Sequence, residues 1–182
     1  MKSSQVIETK NLLLRGMGPD LHREVFTQLN DAQLKDFFGH ETDEALAKER
    51  MMFEQGLTAY NKSFFLFHLI EKSSAKTIGW CGYHNIATKH DRAEIGYVIN
   101  NEKYRGKGYM KEALIEVLKF GFEVLKFHRI EALTGKTNFI SQKLLTDSGF
   151  KYEGLLREHY FINNVYEDSM MYSLMQQELV KQ

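Results

Sequence analysis

The sequence predicts an α/β (α+β) protein: a mixed, mostly antiparallel sheet of about seven strands flanked by helices, in the order βααβββαβαββ. Three observations predict it. Gly106 to Leu125 places Met110, Ala113, Leu114, Val117, Leu118, Gly121, Phe122 and Leu125 at helical i, i+3, i+4 spacing, between two strand-like segments, Arg92 to Asn100 and Arg129 to Thr134. A strand, a crossover helix and a second strand pair those two strands in parallel. Elsewhere, short apolar runs stand between clusters of turn residues, as hairpin strands do. Finally, 182 residues at 43% hydrophobic content bury one sizeable core, so residues 1–182 read as a single domain.

Taken in order, Val6 to Arg15 reads as the first strand. Pro19, the only proline, sits where a first helix begins. Two or three helical stretches follow to about Tyr60, the last carrying apolar Leu46, Met51, Phe53 and Leu57. Ser63 to Ile70, with Phe64-Phe65-Leu66-Phe67, reads as a buried strand, Glu71 to Lys76 as a polar turn and Thr77 to Ile86 as the partner strand of a hairpin. After the β-α-β unit, Asn138 to Asp147 is a short helix, and Phe150 to Ile162 with Tyr166 to Met175 forms a closing hairpin around Asn163-Asn164.

Bulk properties exclude several function classes. Twenty-four basic residues balance twenty-four acidic ones, so the electrostatic footprint of a nucleic-acid binder is missing. Cys81 is the only cysteine, which excludes an internal disulfide and fits a reducing compartment. The first thirty residues carry Lys2, Ser3, Ser4, Glu8 and Lys10 with no long apolar run, so neither a signal peptide nor a membrane span is readable and a cytoplasmic location is expected.

The most informative segment is Asn101 to Leu114, NEKYRGKGYMKEAL, where a strand ends, two glycines bracket a lysine and an amphipathic helix begins. The first N–H groups of a helix have no intrahelical partner, and the aligned peptide dipoles add about half a positive charge there, so backbone alone holds an anion. Glycine lets the anion come close, and Arg105 and Lys107 add formal charge that suits a diphosphate. Gly-x-Gly before a helix is equally compatible with a tight connection and a solvated basic edge. A P-loop is absent, since Gly-x4-Gly-Lys-Ser/Thr does not occur, and so is the Gly-x-Gly-x-x-Gly dinucleotide fingerprint, which disfavours ATP and NAD.

Tyr104-Arg105-Gly106-Lys107-Gly108-Tyr109 resembles motif A of the GCN5-related N-acetyltransferases, in which Arg-x-x-Gly is the signature spacing. Met110 departs from the glycine or alanine of that pattern, which narrows the space without removing a backbone donor. Leu12-Leu13-Leu14-Arg15, Ile78-Gly79, Glu94-Ile95-Gly96-Tyr97, Asn138-x-x-Ser141 and Gly149-Phe150 stand at similar spacing, so the resemblance covers nearly the whole chain. Gly149 to Gly154, with Arg157 and Asp168, resembles the ribosomal-protein alanine and serine N-acetyltransferases in particular.

The resemblance implies acetyl-CoA as co-substrate. It implies the pyrophosphate on the N–H groups of Arg105, Gly106, Lys107, Gly108, Tyr109 and Met110. It also implies the thioester against a bulge at Val98 and Ile99, and the pantetheine arm in a splay between that strand and Arg129 to Thr134, bordered by Asn138 and Ser141. Glu94, on one strand face with Gly96 and Val98, is the implied base, acting directly or through a water; a glutamate there is otherwise a solvated face residue. Many members carry a tyrosine seven residues after the asparagine, where this chain has Leu145, so Ser141 is the candidate for protonating the leaving thiolate, and a helix cap is its alternative role.

Other reactive-looking residues carry less. Cys81 and His84 point to opposite faces of one strand and do not form a thiol-protease pair with Asn85, while His84, His90 and Asp91 lack metal-ligand spacing, so no metal is expected. Trp80, Tyr83 and the Phe64 to Phe67 run belong to the core or line an acceptor pocket. For the acceptor, a free α-amine has a reference pKa near 7.8 against about 10.4 for lysine, roughly 3 kcal/mol easier to deprotonate. The subfamily resemblance points the same way, to the N-terminus of a ribosomal protein. Polyamines, aminoglycosides and amino acids remain as alternatives, as does a non-catalytic acyl-CoA-binding module. Met170, Met171, Tyr172 and Met175 near a C-terminal edge strand would support a homo-oligomer.

Overall fold

The computed structural model describes residues 5–54 and 63–179. Its strands β1 (Val6–Glu8), β2 (Leu12–Met17), β3 (Phe65–Glu71), β4 (Lys76–Ala87), β5 (Arg92–Ile99), β6 (Arg129–Gly135), β7 (Lys151–Ile162) and β8 (Val165–Met175) form a sheet in the order β1-β2-β3-β4-β5-β6-β8-β7. The helices are α1 (Pro19–Gln28), α2 (Asp31–Phe38), α3 (Asp43–Glu54), α4 (Tyr109–Glu123) and α5 (Phe139–Asp147). This is the α/β architecture expected, with one strand more. The first predicted strand is two: Thr9 to Asn11 form a turn, and β1 folds back on β2 with Val6 opposite Arg15. Leu57 and the end of the third predicted helical stretch lie outside the described residues. Among the described residues no helix is long and apolar enough to cross a membrane.

The chain divides into two compact units. One holds the described residues up to Asn85 together with Tyr97–Val117; the other holds Ile86–Gly96 and the described residues from Leu118 onward. In the first, β1, β2, β3 and β4 run antiparallel in sequence. Met17 packs with Val25 and Phe26 of α1, Leu34 and Phe38 of α2 and Leu46 of α3, which is where the apolar stripes of three short helices go. Asn30 caps α2 with a reciprocal capping box to Gln33, and Gly39 ends it in the left-handed region at φ 73°. Cys81 is fully buried, and burial pushes its thiol pKa up. Tyr83 is core as well, its hydroxyl donating to the Val117 carbonyl at 2.6 Å.

In the second unit, β5 and β6 are parallel, with Arg92, Ala93 and Glu94 opposite Arg129, Ile130 and Glu131. β6 pairs antiparallel with β8, and β8 with β7. Asn163 and Asn164 turn the closing hairpin at φ 50° and 62°, the geometry a two-residue loop between twisted strands requires. α4 begins three residues later than its periodicity suggests, because Gly106 and Gly108 both have positive φ.

Candidate active site

The segment between β5 and α4 is pinned at both ends and open in the middle. At its start the Asn100 N–H donates to the Ile78 carbonyl at 2.9 Å. A Cβ on Gly79 would stand 2.0 Å from the Val98 carbonyl oxygen, so only glycine lets the end of β5 lie this close to β4. Glu102–Tyr104 form a short 3-10 turn, after which the Arg105 guanidinium folds back to the Ile99 carbonyl and the Glu102 carboxylate. Lys103 and Lys107 both hold their ammonium groups over the Tyr104 ring, at 5.0 and 5.7 Å.

Gly106 and Gly108 come next, at φ 72° and 82°, and a Cβ on either would meet nothing within 4 Å. Their role is therefore conformational, to turn the backbone into the first turn of α4, and not to make room for packing. Beyond the loop, Glu112 in that first turn accepts from the Thr9 hydroxyl at 2.5 Å, the Asn11 N–H at 2.6 Å and the Asn11 amide at 2.7 Å. Tyr109 donates its hydroxyl to Glu71. The Arg105 N–H, expected to meet a phosphate, is instead committed to the Glu102 carbonyl at 2.9 Å, which closes the 3-10 turn. Gly106 to Met110 offer the backbone N–H groups ahead of and at the helix start, which suits a phosphate. Val98 and Ile99 lie in the same unit, just ahead of the loop.

Glu94, Asn138 and Ser141 lie in the other unit. Glu94 sits opposite Glu131, whose carboxylate takes hydrogen bonds from Arg92 at 2.6 Å and Arg129 at 2.8 Å. Arg129 also grips Glu153 with two parallel bonds, and with Ser173 it holds the Glu153 carboxyl at about 2. Glu94 therefore pairs in register with a residue of a satisfied ionic network centred on Arg129. Burial first, and the Glu94 charge second, raise the pKa of the Tyr160 phenol on β7, which puts that phenol within electrostatic reach of the carboxylate. Nothing in the local sequence singles out Tyr160. It gets there through a kink in β7, where the register jumps between Leu156 and Tyr160, Glu158 takes φ 52°, and Asp168 accepts the Glu158 N–H at 2.9 Å. The kinked segment Leu155 to His159 lines an open groove of about 590 Å³.

Asn138 is the N-cap of α5, its side-chain oxygen accepting the Ser141 N–H at 3.1 Å. Capping falls to the asparagine, so the partly buried Ser141 hydroxyl is not needed for it. Leu145, at the position where many family members carry tyrosine, is buried at 1% exposure. Among the described residues no three His, Cys, Asp or Glu side chains are grouped to hold a metal ion.

The family model described as Acetyltransferase (GNAT) domain matches residues 11–151. The uncharacterized N-acetyltransferase YoaA of Bacillus subtilis (strain 168) is 31% identical over 170 residues, 93% of this chain and 96% of that protein. The spermidine N(1)-acetyltransferase of Escherichia coli (strain K12) is 25% identical, covering 88% of this chain and 90% of that protein. Among solved structures, the ribosomal-protein-S5-alanine acetyltransferase of Vibrio fischeri has a TM-score of 0.67 at 22% identity, over 97% of this chain and 99% of that one, which shows a shared fold.

Proposed function

The chain belongs to the GNAT acetyltransferase family and is an N-acetyltransferase, and from that premise we propose that it moves the acetyl group of acetyl-CoA to the N-terminal α-amine of a protein, in a ternary complex, as one cytoplasmic domain. The observation that carries the cofactor half is the loop. Gly106 and Gly108, at positive φ with open space beside them, lead the backbone of Gly106 to Met110 into the start of α4. The pyrophosphate takes those N–H groups, with Val98 and Ile99 of the same unit toward the thioester. In the transfer, the amine nitrogen bonds to the thioester carbonyl carbon, the carbon–sulfur bond breaks, Glu94 accepts the proton the amine sheds and Ser141 supplies a hydrogen bond to the departing thiolate.

Two considerations support an α-amine. Its lower reference pKa leaves about 3 kcal/mol less deprotonation work for Glu94 than lysine would. The tail pattern Gly149 to Gly154 with Arg157 and Asp168 resembles that of the ribosomal-protein acetyltransferases, and Asp168 supports the β7 kink beside the groove. The similarity to a spermidine acetyltransferase supports a second reading, a polyamine acceptor held by Glu94 and the groove. Release of CoA thiol from acetyl-CoA with peptides beginning in Ala, Ser or Met, and separately with spermidine and spermine, decides between them. Turnover confined to polyamines rejects the α-amine reading, and CoA binding without turnover on any amine rejects Glu94 as a working base.

A further inference from the structure

We propose that Glu41, in the turn between α2 and α3, is a positioning residue for acetyl-CoA: through Asn101 and Lys103 it presets the backbone that leads into Arg105–Met110. The inference rests on the reading that this loop holds the pyrophosphate.

The Glu41 carboxylate is forked across the entry to the loop. One oxygen accepts from the Asn101 amide at 2.8 Å and the other from the Lys103 ammonium at 3.0 Å. Asn101 is the pivot of the 3-10 turn. Its side-chain oxygen takes the Lys103 N–H at 3.0 Å and its carbonyl takes the Tyr104 N–H at 3.1 Å, after which the Arg105 N–H closes on Glu102 at 2.9 Å. An asparagine held at both ends of its amide group has one rotamer, so the turn it starts has one orientation.

The platform that carries Glu41 is itself fixed. A Cβ on Gly39 would meet the Thr77 carbonyl oxygen at 2.1 Å, and the Thr77 hydroxyl donates to the Phe37 carbonyl at 3.0 Å, so the end of α2 is seated on β4. Asn100 spans the same joint, its amide donating to the Phe38 carbonyl at 3.2 Å. His40 meets Glu49 of α3 at 3.3 Å and Thr42 caps that helix. Lys103 first, then Asn101 and Lys76, hold the Glu41 carboxyl below the usual carboxylate range, so it is charged and able to accept both bonds at neutral pH. Both partners are largely exposed, and an exposed pair of this kind contributes little to global stability. Its effect falls instead on the population of loops already in the binding shape.

The test compares Glu41→Ala, Glu41→Gln and Lys103→Met with wild type by CoA titration calorimetry and steady-state kinetics. Glu41→Ala is expected to raise the Kd for CoA and the KM for acetyl-CoA about two- to fivefold, with kcat and Tm unchanged. Glu41→Gln, which keeps one acceptor oxygen, falls between, and Lys103→Met adds less on the Glu41→Ala background than alone. Wild-type CoA affinity in Glu41→Ala overturns the proposal while leaving the cofactor reading intact, as does a loss of kcat and Tm with KM unchanged. Failure of wild type itself to bind CoA overturns both.

Discussion

The Tyr109 hydroxyl, at the first residue of α4, donates to the Glu71 carboxylate at the end of β3 at 2.5 Å. A residue expected beside the cofactor for its backbone N–H has its side chain committed to anchoring the helix. That bond, then Ser74, holds the Glu71 carboxyl below the usual carboxylate range, so the anchor is intact above that range and is lost as acidification protonates it. Tyr109→Phe is expected to raise the KM for acetyl-CoA about threefold with kcat retained, and to remove the part of the acid dependence of CoA affinity that Glu71 contributes. Titration of CoA at pH 7 and pH 4 checks it.

A side chain at Gly108 meets no neighbour within 4 Å, so its effect comes from the backbone alone. Holding a β-branched residue at φ 82° costs about 1–2 kcal/mol, and an exposed loop relieves it by leaving that conformation. Gly108→Val is therefore expected to weaken CoA binding about tenfold while Tm stays within a few degrees. A calorimetric titration beside a thermal melt separates the two.

Glu94→Gln keeps the shape of the strand and removes the proposed base. The expected result is a drop in kcat of about a hundredfold with CoA affinity unchanged. A variant with wild-type turnover across pH 5 to 9 would falsify the role.

Glu49 tests the helical layer. Burial alone would raise its carboxyl, but hydrogen bonds and charge from His22 and His40 override that and hold it at about 2, against an ordinary value of 4.5. The folded-state value is the depressed one, so the stabilisation is complete above about 4.5 and disappears as pH falls toward 2. Glu49→Gln is expected to destabilise the fold at pH 7 and to do so much less at pH 3. Urea unfolding at the two values measures the difference.

The parts of this structure legible in the sequence are those set by neighbours along the chain. The stripe from Met110 to Phe122 and the asparagine pair at 163–164 each carry a local physical signature, and each takes the form expected. The break between β1 and β2 does not, because Thr9 and Asn11 are fixed by Glu112, 103 and 101 residues away. Tyr160 is likewise invisible, since an aromatic residue in a hairpin means core until a kink supported from Asp168 redirects it. Leu145 stands out in the sequence for the group it lacks and is a buried core residue.

Cys81 gives the enzyme a practical property. The sole sulfhydryl of the chain is sealed in the interior, with its thiolate form suppressed. A colorimetric disulfide reagent added to the native protein will find nothing to titrate, so each equivalent of colour in a turnover assay counts one CoA released. In denaturant the same reagent becomes a conformational clock, because its labelling rate then tracks how often the interior opens.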